Sequence, residues 1–349
     1  MDAICIDQHL GVHLRELDMP KPNPDQVLVS MRDAGVCGTD HEIIERGYGS
    51  PPEGDDYAIL GHESLGQIVD IGEDVSIFKE GDYVVRTVRR PCSSCVPCDQ
   101  GSNDLCDTGD FTEVGIKGIH GVMVDYFVEH PDYLVRVPEE HRDVAVLLEP
   151  LSVVEKAFRV AYEKQGRVPG WYMGEALVVG AGPIGLLQAM ILRANDVNTS
   201  VVARSPRGNL KSEIVGDIGA TYYSTEEGVP AGDYDFIFDA SGSSKIAFSM
   251  MDNLAPNGVL CWNSITAGKT KSLVASDRIN LDWVLNNNTL FGAVNANIRD
   301  YETGVRRFDT FENKWPGLLG GLITRRIPIE EFEKAFERDR QGIKTVIEF

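Results

Sequence analysis

Residues 176–194 constrain this chain more than any other stretch. They read ALVVG, then AGPIG, then LLQAMILRA. The first run is too short and too uniformly apolar for an exposed strand, so it must be buried on both faces. The last run is apolar over more than two turns and reads as a helix packed on that strand. Further candidate strands follow at 199–204 (TSVVAR), 235–242 (DFIFDASG), 258–262 (GVLCW) and 289–294 (TLFGAV). Strands separated by helix-length segments predict an α/β, doubly wound parallel sheet.

The turn itself carries chemistry. Gly180-Ala181-Gly182-Pro183-Ile184-Gly185 is G-x-G-x-x-G between a strand and a helix. The glycines permit a tight turn and close backbone approach to a pyrophosphate, and the helix N-terminus favours its charge. A dinucleotide cofactor is therefore expected. An NAD site carries Asp or Glu at the end of the next strand, for the ribose 2′-hydroxyl. Here that strand ends Ala203-Arg204-Ser205-Pro206-Arg207. There is no acid, and Arg204, Arg207 and Ser205 suit a 2′-phosphate. NADP is the expected cofactor, with NAD left open as a second one.

Residues 1–150 have a different texture. Segments such as 26–36 (QVLVSMRDAGV), 66–75 (GQIVDIGEDV) and 82–88 (DYVVRTV) are short strands broken by Gly, Pro and Asp. This predicts an irregular, mostly β domain. After about residue 295 the chain turns polar and helical and closes on a final strand, KTVIEF.

Two cysteine patterns lie in the β-rich part. Cys92, Cys95, Cys98 and Cys106 put four thiols on one short loop. Four soft ligands suit a closed tetrahedral zinc; an iron–sulfur cluster is the competing reading. Cys37 stands apart in GVCGTD, and His62-Glu63 follow in GHE. A thiolate, an imidazole and a nearby carboxylate make an open, catalytic zinc site if the fold gathers them.

These motifs together resemble the zinc-dependent medium-chain alcohol dehydrogenases. Gly61-His62-Glu63-Ser64-Leu65-Gly66 with Gly72 and Val75, the CGTD run at 37–40, the cysteine lobe and GAGPIG occur in that superfamily's order. Within it the chain is similar to archaeal, haloarchaeal-type glucose dehydrogenases, on RRPCSSC at 89–95, TEVGIKGIHGVM at 112–123, HPDYLVRVP at 130–138, LLEPLSVVEKAF at 147–158, FGAVN at 291–295 and the terminal IKTVIEF. The resemblance implies a GroES-like catalytic domain over residues 1–155, with a structural-zinc lobe at about 89–110. A Rossmann domain would follow over 156–293, and residues 294–349 would complete the catalytic domain. It implies one catalytic and one structural Zn2+ per chain. Cys37, His62, Glu63 and Glu149 would hold the catalytic ion, with Glu149 direct or water-bridged. Cys37, Thr39, His62 and Glu149 would carry catalysis. Thr39, Glu113, Glu149 and Asn295 would meet sugar hydroxyls. NADP would meet Ala181 to Ile184, Ala203, Arg204, Ser205, Asn263, Ser264, Ile265, Ala293, Val294 and Asn295. The implied reaction is oxidation of D-glucose at C1 to the lactone, in a homodimer or homotetramer. Some relatives place an acid four residues after Glu149; this chain has Val153. That keeps another aldose, a polyol or threonine open as substrate.

Charge narrows the partners. Lys and Arg total 33 against 54 Asp and Glu, a net charge of −21. Such a surface repels nucleic acid and anionic membrane. It therefore counts against the alternative of a non-enzymatic four-cysteine zinc-ribbon binding protein. The acidic, Lys-poor balance fits a salt-rich, halophilic cytoplasm. The N-terminus reads without a basic-then-apolar leader, so a cytoplasmic location is expected.

Overall fold

The computed structural model describes residues 1–230, 232–266 and 268–349. The chain divides into two compact units. One comprises Val153–Val294 and Asp309–Leu318; the other comprises Met1–Ser152, Asn295–Phe308 and Leu319–Phe349. Residues 309–318 therefore group with the nucleotide-binding part, not with the C-terminal segment that the resemblance assigns to the catalytic domain. No helix is long and apolar enough to cross a membrane among the described residues.

The first unit is built on a six-stranded sheet in the order Thr221–Ser224, Asn198–Ala203, Glu175–Val179, Tyr234–Asp239, Leu254–Trp262, Thr289–Gly292. Every neighbouring pair is parallel. The apolar run 176–179 is buried throughout, and the helix Pro183–Ala194 buries eight consecutive residues from Gly185 to Leu192. A helix buried all round cannot face water, which is why its sequence shows no polar stripe. The strand order reverses between Glu175–Val179 and Tyr234–Asp239. In open α/β sheets, ligands bind at the carboxyl ends of the strands at such a reversal. The strand Thr221–Ser224 was not legible in the sequence: TYYS is short and carries no apolar run.

In the second unit the organising element is the strand Val27–Val36. It pairs antiparallel with Glu63–Ile71, Tyr126–Glu129 and Lys344–Glu348. The sheet continues through Tyr83–Arg86 and Leu134–Val137 on one side and Ile323–Pro328 on the other. Ile4, Val29, Met31, Leu60, Ile68 and Met123, all close to fully buried, anchor its core. The strand expected over 66–75 starts three residues earlier and ends at Ile71, where Gly72 enters a turn. ITRRIP, at Ile323–Pro328, forms a strand despite two arginines, because its other face packs on the core.

This register gathers functional groups at one sheet end. Gly35 lies opposite Glu63, and Val36 opposite Thr345. Antiparallel pairing therefore brings Cys37, just past one strand, beside His62, just before the next, and beside Lys344 at the start of the last.

Candidate active site

The ligand atoms of Cys37, His62 and Glu63 lie within 4.8 Å of one another. Cys37 is the N-cap of the helix Gly38–Arg46, and its backbone N–H donates to Asp40 Oδ2 at 2.8 Å. His62 Nδ1 sits 3.5 Å from Asp40 Oδ1, and both residues are buried. A carboxylate on one ring nitrogen turns the other nitrogen toward a metal and fixes the tautomer. Asp40 thus has two jobs, as a cap and as a partner of His62. Thr39 Oγ1 lies 3.9 Å from Cys37 Sγ.

Glu63 is held differently from what the GHE motif alone suggests. Both of its oxygens accept from Lys344 Nζ, at 2.7 and 2.6 Å, and both residues are buried. Lys344 also donates to the Val36 carbonyl. The Glu63 side chain folds over Gly35, where any Cβ would come within 2.0 Å of Oε2. Its charge is thus already compensated by an ammonium, which competes with metal ligation. Lys344 itself was unremarkable in sequence, being the first polar residue of a terminal strand.

Glu149 is the second residue of the helix Leu148–Gln165, just before Pro150, a residue tolerated only in a helix's first turn. It is buried, and burial pushes its carboxyl up to about 7; Glu63 and Asp40 add to the rise while His62 and Lys344 oppose it. It stands outside the Cys37–His62–Glu63 triplet. Burial disfavours a charged His62, but Asp40 and Cys37 outweigh it and raise its pKa well above the ordinary value. The Lys344 ammonium and the His62 imidazole thus share this centre with a thiol and three carboxyls. Such a centre calls for a cation, and its sulfur, imidazole and carboxylate donors fit zinc.

The second cluster is formed by Cys92, Cys95, Cys98 and Cys106, whose sulfurs all lie within 4.8 Å of one another. Cys95 Sγ and Cys106 Sγ are 3.9 Å apart. A tetrahedron with zinc–sulfur bonds of about 2.3 Å has edges of about 3.8 Å. The four thiols are free rather than paired in disulfides. The loop they occupy is closed at its base by the short strands Arg89–Arg90 and Thr112–Val114, with Arg89 opposite Glu113. Four thiolates on one closed loop fit a structural zinc. Cys5 and Cys261 are buried elsewhere.

Glu113 and Asn295, far apart in sequence, meet directly: Asn295 Nδ2 donates to Glu113 Oε1 at 2.8 Å. Both are buried. Asn295 has a φ of 58°, in the left-handed region that Asn tolerates better than most residues.

At the glycine-rich turn, Gly180 has a φ of 112°, and a Cβ there would come within 2.6 Å of the Ala240 carbonyl. A Cβ on Gly185 would come within 2.0 Å of the Gly180 carbonyl. A Cβ on Gly182, the helix N-cap, would meet nothing within 4 Å. The first and last glycines are therefore needed by the protein, while the middle one leaves room for a ligand. Ala181 is buried, Pro183 opens the helix, and Ile184 follows it. Beyond Ala203, Arg204 is exposed and makes no ion pair among the described residues. Arg207 departs from expectation: its Nε and Nη2 pair with Glu227 at 2.8 and 3.0 Å. It reaches sideways to the next strand's end, which leaves Arg204 as the free guanidinium. Ser205 accepts from the Tyr222 hydroxyl through its carbonyl. Asn263 Nδ2 donates to the Ala293 carbonyl, and Ser264 Oγ to Asp239 Oδ2. Ile265 and Val294 are exposed apolar residues in the same unit.

Comparison with known proteins accounts for both units. Residues 23–139 match the alcohol dehydrogenase GroES-like domain, and residues 142–349 match the glucose dehydrogenase C-terminus family. Glucose 1-dehydrogenase of Methanocella arvoryzae is 41% identical, over 99% of this chain and 98% of its own length. The Haloferax mediterranei glucose dehydrogenase, solved in complex with NADP, Zn and gluconolactone, superposes with a TM-score of 0.91 at 34% identity, covering 100% of this chain and 99% of that one. Galactitol-1-phosphate dehydrogenase of Escherichia coli shares the fold at a TM-score of 0.81 and 21% identity. The chain belongs to the glucose dehydrogenase family of the medium-chain alcohol dehydrogenase superfamily.

Proposed function

We propose that this protein oxidises D-glucose at C1 to gluconolactone, with hydride transfer to NADP+ and the assistance of a zinc ion. The observation that carries the proposal is the half-buried Cys37 gathered with the buried His62 beside Glu63 and Glu149, in a chain 34% identical to an enzyme solved with NADP, Zn and gluconolactone. Cys37 and His62 hold the catalytic ion, and Glu149 holds it directly or through water. Zinc there supplies Lewis-acid polarisation of the C1 hydroxyl. Thr39 orients that hydroxyl. Glu149 takes the hydroxyl proton as general base, directly or through the zinc-bound water. Glu113 accepts hydrogen bonds from sugar hydroxyls, and Asn295, bonded to Glu113, meets a sugar hydroxyl beside it. The cysteine lobe holds a structural zinc.

For the cofactor, the space over Gly182 and the following helix N-terminus receive the pyrophosphate. Arg204 and Ser205 take the 2′-phosphate. Ala203, Asn263, Ser264, Ile265, Ala293 and Val294 line the rest of the dinucleotide site. NAD is a second, weaker cofactor on this reading, since residues 203–207 carry no Asp or Glu for a 2′-hydroxyl.

The decisive experiment is Cys37→Ala with metal content measured. Turnover falls by several orders of magnitude while the melting temperature and the lobe zinc stay near wild type. Near-normal turnover in protein of verified metal content overturns the assignment. We also propose self-association of a cytoplasmic enzyme. Leu281, Val284 and Leu285 are 57–68% exposed on the helix Ser276–Asn286, an apolar surface suited to another copy. A monomer by light scattering at working concentration contradicts this.

A further inference from the structure

We propose that Arg89 is a positioning residue for sugar recognition: it anchors one oxygen of Glu113, leaves the other for a substrate hydroxyl, and ties this carboxylate to the cysteine lobe. The inference rests on the reading of Glu113 as a sugar-facing group.

The geometry is unusual for an arginine–carboxylate pair. A guanidinium fork commonly takes both carboxylate oxygens, one per N–H. Here Arg89 Nε and Nη2 both donate to Oε1, at 3.1 and 2.9 Å. Asn295 Nδ2 donates to the same atom. Oε2 accepts no hydrogen bond among the described residues, and it is not among the buried atoms left without a partner. So one oxygen is saturated by the protein and the other keeps its lone pairs for an arriving donor. A hydroxyl is such a donor.

Arg89 is itself fixed from the lobe side. Its Nη1 donates to the Asp104 carbonyl at 3.1 Å, and its own carbonyl accepts from Asn103 Nδ2 at 2.5 Å. Its guanidinium carbon sits 3.8 Å above the Phe111 ring. Asn297, two residues past Asn295, donates to the Gly101 carbonyl and to Asp104 Oδ1. Arg89 is therefore braced directly, and the segment carrying Asn295 is tied through Asn297, by residues 101–104, inside the loop that the four cysteines close. The lobe thereby acquires a role in substrate recognition, not only in stability.

The test is steady-state kinetics of zinc-replete R89A, R89K, E113Q and R89A/E113Q on glucose and on a series of deoxyglucoses. Glucose KM in R89A rises about 10- to 100-fold, the worth of a charge-assisted hydrogen bond. NADP KM and bound zinc stay at wild-type values, and kcat changes little. A site built to bond a hydroxyl penalises the analogue lacking it. Wild type therefore discriminates against one deoxyglucose, and R89A loses that discrimination, as E113Q does. The double variant is no worse than E113Q. R89K is intermediate, since an ammonium keeps the charge without the fork. If R89A fails to bind NADP, R89K decides alone, and wild-type glucose KM there overturns the proposal. So does an R89A glucose KM within about twofold of wild type while E113Q is impaired. If E113Q is itself unimpaired, the sugar-facing reading of Glu113 fails first and the proposal with it.

Discussion

Replacing Glu129 with Gln perturbs the unit that carries the metal centre without touching any ligand. The Glu129 carboxylate is buried between Arg86 Nε at 2.5 Å and Arg90 Nη2 at 2.6 Å, and also accepts from the His130 backbone at 2.9 Å. The guanidiniums stack over Phe127 and Tyr133. Gln keeps the shape but leaves two buried cations facing each other. Removing one partner of a buried ionic group costs about 3–5 kcal/mol. In a unit of this size that lowers the melting temperature by roughly 10 °C. The effect depends on pH in a definite sense. Burial raises the Glu129 carboxyl, but Arg86 and Arg90 outweigh it and hold it below its ordinary value of 4.5. A depressed folded-state pKa contributes stability that is full above the ordinary value and is lost as pH falls through the folded one. The gap in melting temperature between wild type and E129Q is therefore constant at neutral pH and narrows on acidification below about pH 4. Calorimetry of both proteins across pH 3–8 (as far as each refolds) reads it. A gap under about 1 kcal/mol at pH 7, or one that widens in acid, refutes the reasoning.

Three further outcomes follow from the geometry. Arg204→Ala raises NADP KM about tenfold or more and barely alters NAD, whereas Arg207→Ala does less, being paired with Glu227; equal effects on both cofactors contradict this. Gly182→Ala melts like wild type but binds NADP more weakly by fluorescence titration, whereas Gly185→Ala loses both stability and cofactor, because its Cβ would meet the Gly180 carbonyl. The double variant Glu63→Gln/Lys344→Met removes an ion pair as a unit and keeps its catalytic zinc by metal analysis; loss of that zinc makes Glu63 a ligand.

Much of the fold was legible because its strongest elements are locally determined. The strand–turn–helix at 175–194 and the cysteine lobe each announce themselves by spacing within a single stretch. Thr221–Ser224 and Ile323–Pro328 did not, since their strand state comes from pairing with neighbours rather than from their own residues. The metal centre shows the same division. Cys37 and His62 stand in short motifs, but their closeness comes from the register of Gly35 with Glu63. Lys344 lies 281 residues from Glu63, and no local pattern marks it as that residue's partner. Arg207 was misleading for a related reason. Two arginines after a strand suit a 2′-phosphate equally in sequence, and only the placement of Glu227 separates them.

We propose above all that zinc at Cys37 and His62 serves NADP-linked oxidation of glucose. Initial rates of NADP reduction test it most directly, with glucose, galactose, xylose, sorbitol and threonine, before and after chelation and zinc restoration, at low and high salt. Glucose gives the highest kcat/KM, chelator abolishes the rate and zinc restores it. A faster rate with sorbitol or threonine, or full activity in protein shown to lack the Cys37-site metal, would contradict it.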